Sequence, residues 1–116
     1  MSELTWRLGL GESATAVIIT ADDFGLCYAA NTGVLASMSS GLATSASLLV
    51  PAPWARQAAA MYRGQDLGVS LAITAQHELL RFGPVTHAPS LLGGDGGFAG
   101  SAVSYTHLTL PTIYSV

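Results

Sequence analysis

Three short apolar runs, separated by segments with helical spacing, dominate the pattern of hydrophobic and polar positions along the chain. The first run, residues 17–21, is rich in β-branched residues and stops at two adjacent aspartates. The second, residues 44–50, stops at a proline, and the third, residues 66–74, alternates apolar with small or polar residues. Short apolar runs bounded by turn residues predict strands, and the first run predicts a fully buried one.

Two helices are predicted between these strands. Residues 28–40 repeat apolar side chains at intervals of three and four, and Gly41 is well placed to end that helix. The second helix begins near Pro53, a residue suited to a first helical turn, and closes at Gly64. Trp54 shares helical spacing with apolar residues one and two turns later, which favours a place in the core; the alternative is a ring that stacks on a sugar.

The order β-α-β-α-β with short connections predicts an α/β fold, either a parallel sheet or the opening part of a (β/α) barrel. Three parallel strands do not close a barrel, so they leave an apolar edge and face open. Residues 1–16 are predicted to be a loose lead-in. From residue 75 to residue 100 the periodicity is lost, and glycines and prolines mark a long loop of the kind that is usually functional.

Composition narrows the classes of partner. Hydrophobic residues make up 50% of the 116 residues and charged residues only 9%, well below the usual quarter. Such a chain either dimerises or belongs to a larger protein whose remainder covers the apolar surface. We favour the larger protein, and a homo-oligomer stays open. The net charge is −3, with four arginines and no lysine, which argues against a nucleic-acid partner.

The number of cysteines and the lengths of the apolar runs limit the kinds of disulfide and metal site, and the cellular locations, that we expect for this chain. The single cysteine, Cys27, excludes an internal disulfide framework and a multi-cysteine zinc site. No apolar segment follows a basic start, so a signal peptide is not expected. No run approaches the ~18 apolar residues of a membrane span. We therefore expect no membrane span and a cytoplasmic location.

The adjacent carboxylates Asp22 and Asp23 are the main candidates for chemistry. They follow the first predicted strand, and ligands of α/β folds bind at the carboxyl ends of parallel strands. A charge at the end of a buried strand must be paired, hydrated or bound to a cation. Neighbouring residues of an extended chain point in opposite directions, so the two acids can serve different roles if the chain turns at Phe24 and Gly25. The structural alternative is that they cap a helix or fix a turn.

Several sequence blocks together carry a family resemblance. The segment ITADDFGL, the triplet Asn31-Thr32-Gly33, the run GLATSASLLVPAPW and the strand LGVSLAIT follow one another in this order. In this arrangement the chain resembles the YdjC-like carbohydrate deacetylases from about residue 17 to residue 98. The resemblance implies a TIM-barrel-like fold that binds a divalent metal at the carboxyl ends of its strands and removes acetyl groups from N-acetylated sugars. Residues 17–102 would then form the first three β/α units of an incomplete barrel.

The resemblance also assigns roles to residues. Asp22 would be the general base that deprotonates the attacking water, and Asp23 would be a metal ligand. Magnesium and zinc both fit such a site, whereas the substrate-binding residues stay unknown. The chain departs from the family at Ser70, where a histidine metal ligand is expected. We therefore expect the chain alone to bind metal weakly and not to turn over.

Other residues are further candidates for the site, and other functions are alternatives to a deacetylase. His77 and Glu78 follow the third predicted strand and could sit near a site opening, and His87 lies in the loop. The structural alternative is that they are solvated surface residues, as loop histidines usually are. One alternative function is a non-catalytic remnant that binds a sugar or a partner. A second is a signalling receiver-like domain, but the required aspartate after the third strand and the required lysine are missing.

The last segment, residues 103–116, differs from the rest of the chain. At face value it predicts one more strand over residues 105–110, broken by Pro111. It also resembles a translated sequencing adapter, so we predict that this tail is not native. In that case His107 has no role.

Overall fold

The computed structural model describes residues 2–106. Three parallel strands form one sheet in chain order, with the second strand in the centre. This architecture confirms the predicted α/β class and the predicted parallel sheet. The elements are α1 (Glu3–Arg7), β1 (Thr20–Phe24), α2 (Tyr28–Ser39), β2 (Ser45–Leu49), α3 (Ala55–Met61) and β3 (Leu67–Ser70).

The core lies between the sheet and the helices α2 and α3. Phe24 at the end of β1, Val34 of α2, Ala46 of β2 and Ala58 of α3 form one buried cluster. Phe24 is 1% exposed, and burial of such a side chain stabilises a fold by roughly 1.5–3 kcal/mol. The two alanines let helix and strand approach closely. A second buried cluster, Leu26, Leu49 and Ala52, lies at the carboxyl ends of β1 and β2.

The first strand lies three residues further along the chain than the sequence pattern predicts. Val17 and Ile18 precede β1 and are 67% and 80% exposed, so the expected fully buried strand over residues 17–21 is wrong. Pairing with β2 begins only at Thr20, opposite Ser45, and the residues before it have no strand partner within the described sheet. Asp22 and Asp23 consequently lie inside β1 rather than after it.

The third strand is shorter than predicted. It ends at Ser70, whose register partner is Leu49, the last residue of β2. Pro51 follows β2 closely and has no N–H to continue the ladder, so the alternating residues beyond Ser70 lose their partner strand. Leu71 is accordingly 96% exposed.

The segments outside the sheet differ from the sequence pattern in detail. The lead-in contains α1, which Ser2 caps by accepting a hydrogen bond from the Thr5 N–H. The long loop is irregular as predicted, apart from a 3-10 turn at Pro89–Leu91 and an isolated bridge between Leu92 and Phe98. A second 3-10 turn, Ala102–Tyr105, replaces the start of the predicted last strand. The rest of that strand and His107 lie outside the described residues.

The helices also bear on the membrane question. Among residues 2–106, no helix is both long enough and apolar enough to cross a membrane.

A buried amide joins the turn after β1 to the helix after β2. Asn31 of α2 is fully buried, and its Oδ1 accepts a hydrogen bond from the Gly25 N–H at 2.6 Å. Its Nδ2 donates to the Trp54 carbonyl at 3.2 Å and to Gln57 Oε1 at 2.9 Å. The Trp54 N–H in turn donates to the Gly25 carbonyl at 2.9 Å. Because buried polar groups need partners, this network fixes the two loops relative to each other.

Replacement of this amide should destabilise the fold. Asn31→Ala removes the acceptor of the buried Gly25 N–H, and an unsatisfied buried group costs about 1–3 kcal/mol. Urea unfolding followed by circular dichroism measures this loss. The control is Thr32→Ala, which removes only an exposed bond to the Tyr28 carbonyl and should stay within about 0.5 kcal/mol. Equal stability of the two variants would contradict the role given to Asn31.

Candidate functional site

The two aspartates lie on β1 at an irregular point of the strand. Asp23 has a φ of +63°, the left-handed conformation that few residues other than glycine adopt. The register between β1 and β2 shifts between Ala21 and Phe24, so the chain kinks at the acids. Aspartate tolerates this conformation better than most residues do, and strained backbone of this kind clusters at functional sites.

The two carboxylates differ in their relation to a cavity. Asp23 lines a cavity of about 210 Å³ and Asp22 is not part of its wall, although both residues are exposed. Within residues 2–106, neither carboxylate has a hydrogen-bond or ion-pair partner. A structural cap or turn would use these oxygens internally. Both acids are therefore available to a ligand.

The cavity combines an apolar lining with a few polar groups. Such a combination is typical of small-molecule sites, in which the apolar wall excludes water and the polar groups orient the ligand. The apolar lining comes from the carboxyl ends of β1 and β2 and from the segments after β3. The lining residues are Asp23, Leu26, Leu49, Ala72, Thr74, Gln76, His77 and Phe82.

The cavity brings residues together that the sequence did not connect. His77 is exposed, as expected of a loop histidine, but it also stands in the cavity wall with Asp23. Thr74 and Gln76 of the same wall were not foreseen as site residues. Their common signal is position, because they follow β3 and the carboxyl ends of neighbouring parallel strands meet at one edge. Glu78 and His87 are not in this wall.

Ser70 lies away from Asp23. It is half-buried and lines a second, mostly apolar cavity of about 460 Å³ with Val69 and Leu71. The alternation predicted over residues 66–74 would turn Ser70 to the same face as Thr74, which lines the Asp23 cavity. Because β3 ends at Ser70, that alternation does not continue to Thr74 as a strand.

The donor chemistry of the Asp23 cavity fits a divalent metal only in part. A carboxylate and an imidazole are donors that zinc accepts, and magnesium accepts carboxylate oxygen. Yet the described residues contain no group of three or more histidine, cysteine, aspartate or glutamate side chains that could hold a metal ion. Asp23 and His77 thus supply two donors at most, fewer than the three or four protein ligands of typical zinc sites.

Arg81 anchors the loop that carries much of this wall. Its guanidinium donates to both carboxylate oxygens of Asp95, at 2.7 and 3.3 Å. It also donates to the carbonyls of Ala75 and Phe98. The Phe98 N–H then donates to the Phe82 carbonyl at 2.8 Å, and the two phenyl rings meet edge to face. The Arg81 side chain therefore joins Ala75, Asp95 and Phe98 within the loop next to the cavity.

The charges of this anchor reinforce each other. The hydrogen bond from Arg81, followed by that from the Gly97 N–H, lowers the pKa of Asp95 to about 2. The same hydrogen bond to Asp95 raises the pKa of Arg81. Paired donors on a carboxylate favour its charged form.

Comparison with known families gives a match over most of the chain. A sequence model of the family described as "YdjC-like protein" matches residues 16–114, which include both aspartates and the cavity wall. The matched range also includes most of the tail 103–116, whose non-native origin stays a prediction.

Three curated relatives share one name, carbohydrate deacetylase. The relative from Thermus thermophilus is 38% identical over 96 residues, which cover 83% of this chain and 33% of the relative. The Geobacillus stearothermophilus relative is 36% identical over 83 residues, 70% of this chain and 32% of its own length. The Mus musculus relative is 36% identical over 85 residues, which cover 72% of this chain and 27% of the relative. The chain thus spans about a third or less of the relatives' length.

Acid should loosen the loop anchored by Arg81. The pKa of Asp95 is lower in the folded chain than its ordinary value of 3.8, so its contribution to stability is complete above about pH 4. That contribution is lost as the pH falls toward about 2. The hydrogen-exchange protection factor of the Ala75 amide, which donates to the Ala99 carbonyl, should fall across this window.

Matched variants isolate the anchor from general acid effects. Asp95→Asn should weaken protection of the Ala75 amide at neutral pH and flatten its change between pH 4 and pH 2. Glu12→Gln, which removes an exposed carboxylate between α1 and β1, should leave the profile unchanged. A wild-type profile in the Asp95 variant would show that the ion pair does not hold the loop.

Proposed function

Because this chain belongs to the YdjC-like protein family, we propose that it is part of a carbohydrate deacetylase, which removes acetyl groups from N-acetylated sugars. The observation that carries the proposal is the Asp22–Asp23 pair, unpartnered within residues 2–106 and kinked so that one acid faces a cavity. The names of the relatives supply the reaction class, and acetylated sugars are the corresponding substrates.

Hydrolysis of an acetyl amide needs a base to activate water. Water attacks the carbonyl carbon, and the general base takes its proton as the carbon–oxygen bond forms. The carbon–nitrogen bond then breaks as the amine nitrogen takes up a proton, which releases acetate and the free aminosugar. We assign this role to Asp22, because its carboxylate is exposed and makes no hydrogen bond in the described part of the chain. Asp23, on the cavity wall, is the proposed metal ligand.

A divalent metal, Mg²⁺ or Zn²⁺, is the proposed cofactor. Asp23 would hold it, and His77 is the imidazole on the same wall. Such a metal, when bound, polarises a carbonyl and lowers the pKa of its water. With two donors, this chain alone should bind the metal weakly, as the Ser70 substitution also implies.

The fold supports a larger architecture of the same type. Three parallel strands in sequential order, with helices between them, correspond to the opening units of a (β/α) barrel. We propose that the intact fold is TIM-barrel-like, with the acids at its carboxyl edge. A cytoplasmic location and a possible homo-oligomer stay predictions from the sequence.

A chimeric enzyme tests the proposed reaction. The matched segment of the Thermus thermophilus carbohydrate deacetylase is replaced by the corresponding segment of this chain, and acetate release from N-acetylated chito-oligosaccharide is measured. Asp22→Asn should lower kcat by about 10²–10⁴-fold, the usual contribution of a general base. Asp23→Asn should abolish activity without backbone strain, because asparagine also tolerates the left-handed conformation.

Asp66→Asn is the matched control for the chimera. This exposed carboxylate precedes β3, at the opposite edge of the sheet, and its removal should leave acetate release unchanged. Undiminished release after both Asp22 and Asp23 are replaced would refute the proposal. So would a folded chimera that releases no acetate while the parent relative does.

The two proposed metal donors lead to a separate prediction, which is tested by measuring metal binding. Isothermal titration of this chain with Zn²⁺ should show that His77→Ala weakens binding about tenfold, since it removes one of two donors. His87→Ala changes an exposed histidine outside the wall and should have no effect, and neither should Ser70→Ala. A stronger effect of Ser70→Ala than of His77→Ala would overturn the assignment of His77.

The second candidate function is a non-catalytic remnant that binds sugar. The serine at position 70, where the family resemblance expects a metal ligand, favours it. Ser70→His in the chimera separates the two functions. If the chimera with Ser70 is inactive and Ser70→His raises acetate release, the serine accounts for the loss of activity and the remnant is supported. If the chimera with Ser70 already releases substantial acetate, the deacetylase function is supported.

A further inference from the structure

Two exposed aromatic rings follow the carboxyl ends of β1 and β2. Tyr28 and Trp54 are 58% and 42% exposed, and their rings meet at a centroid distance of 6.3 Å and an angle of 64°. The expectation that Trp54 belongs to the core is wrong. Trp54 precedes α3 instead of lying within it, so its side chain does not follow the helical spacing of that helix.

The backbone holds both rings at the edge of the sheet that carries the acids. Tyr28 is the first residue of α2, directly after the turn that follows β1. Trp54 follows β2, and its N–H and carbonyl are both bonded, to Gly25 and Asn31 respectively. The carboxyl ends of parallel strands share one edge of the sheet, so the aromatic pair and Asp23 lie at the same edge.

The chemistry of the pair matches a sugar ring. An edge-to-face pair leaves ring surface uncovered, and large exposed aromatic clusters are typical of recognition sites. Within residues 2–106, neither the Tyr28 hydroxyl nor the Trp54 Nε1 has a hydrogen-bond partner. A pyranose offers what these groups lack: an apolar face of C–H groups and a rim of hydroxyls.

We propose that Tyr28 and Trp54 form an aromatic platform that binds one pyranose ring of an oligosaccharide. The proposal rests on the deacetylase function and specifies its substrate. Neither ring lines the Asp23 cavity, whose volume of about 210 Å³ is small for a ligand site. The platform therefore binds a pyranose ring that lies outside this cavity.

Tryptophan fluorescence tests the platform directly. The chain has two tryptophans, and Trp6→Phe in the exposed α1 leaves Trp54 as the reporter. Titration with the trimer of N-acetylglucosamine should shift the Trp54 emission in a saturable way. The monomer should bind this reporter at least about tenfold more weakly, since it has no second ring for the cavity.

Variants of the tyrosine distinguish ring stacking from a fold effect. Tyr28→Ala should weaken trimer binding about tenfold, and Tyr28→Phe, which keeps the ring, should restore most of it. Tyr62→Ala is the matched control, because Tyr62 is similarly exposed (45%) but follows α3, away from the acids. Circular dichroism confirms that each variant is folded.

The outcomes separate this proposal from the proposed reaction. Asp66→Asn should leave the fluorescence titration unchanged, because this exposed carboxylate precedes β3 at the opposite edge of the sheet. No Trp54 response to the trimer, or equal affinity for trimer and monomer, would overturn the platform even if the chimera releases acetate. A response that is lost equally in the Tyr62 variant would likewise overturn it.

Discussion

The side-chain amide of Asn31 is the constraint on which the arrangement at the sheet edge depends. It is fully buried, and its partners come from the turn after β1 and from the start of α3. Gly25 accepts this geometry because its φ is +106° and a Cβ would meet Ala55 Cα and the Leu49 carbonyl at 3.1 Å. The amide therefore couples the loops at Gly25 and Trp54, which are 29 residues apart in sequence, and it sets the position of Trp54.

The neighbours of Asp23 along β1 explain why it can hold an unusual backbone conformation. Ala21 before it is paired with Ala46, and Phe24 after it is buried in the core, so both flanks are fixed. Packing of this kind can maintain a strained residue that would relax in an isolated strand. One carboxylate thus lies in the cavity wall, whereas its neighbour lies outside that wall.

Local signals in the sequence were sufficient for part of this structure. Helix α2 and strand β2 lie within one residue of their predicted ends, because apolar spacing and the glycine and proline stops are properties of the segments themselves. The limits of β1 and β3 depend on where a partner strand begins and ends, which no single segment encodes. The sequence predicted Asp23 as a site residue from its position on the first strand. His77 lines the same cavity only because of the tertiary fold. Trp54 is not in the core because α3 starts at Ala55, one residue after it.

The sheet has one further consequence for the physical behaviour of this chain. β1 and β3 each have a neighbour on one side only within the described sheet, so both present free N–H and C=O groups. Apolar residues such as Val69, which is 63% exposed, accompany these free edges. Exposed edges of this type template the addition of strands from other molecules. Self-association should compete with ligand binding at high protein concentration, so dilute samples will report the monomer's own affinity.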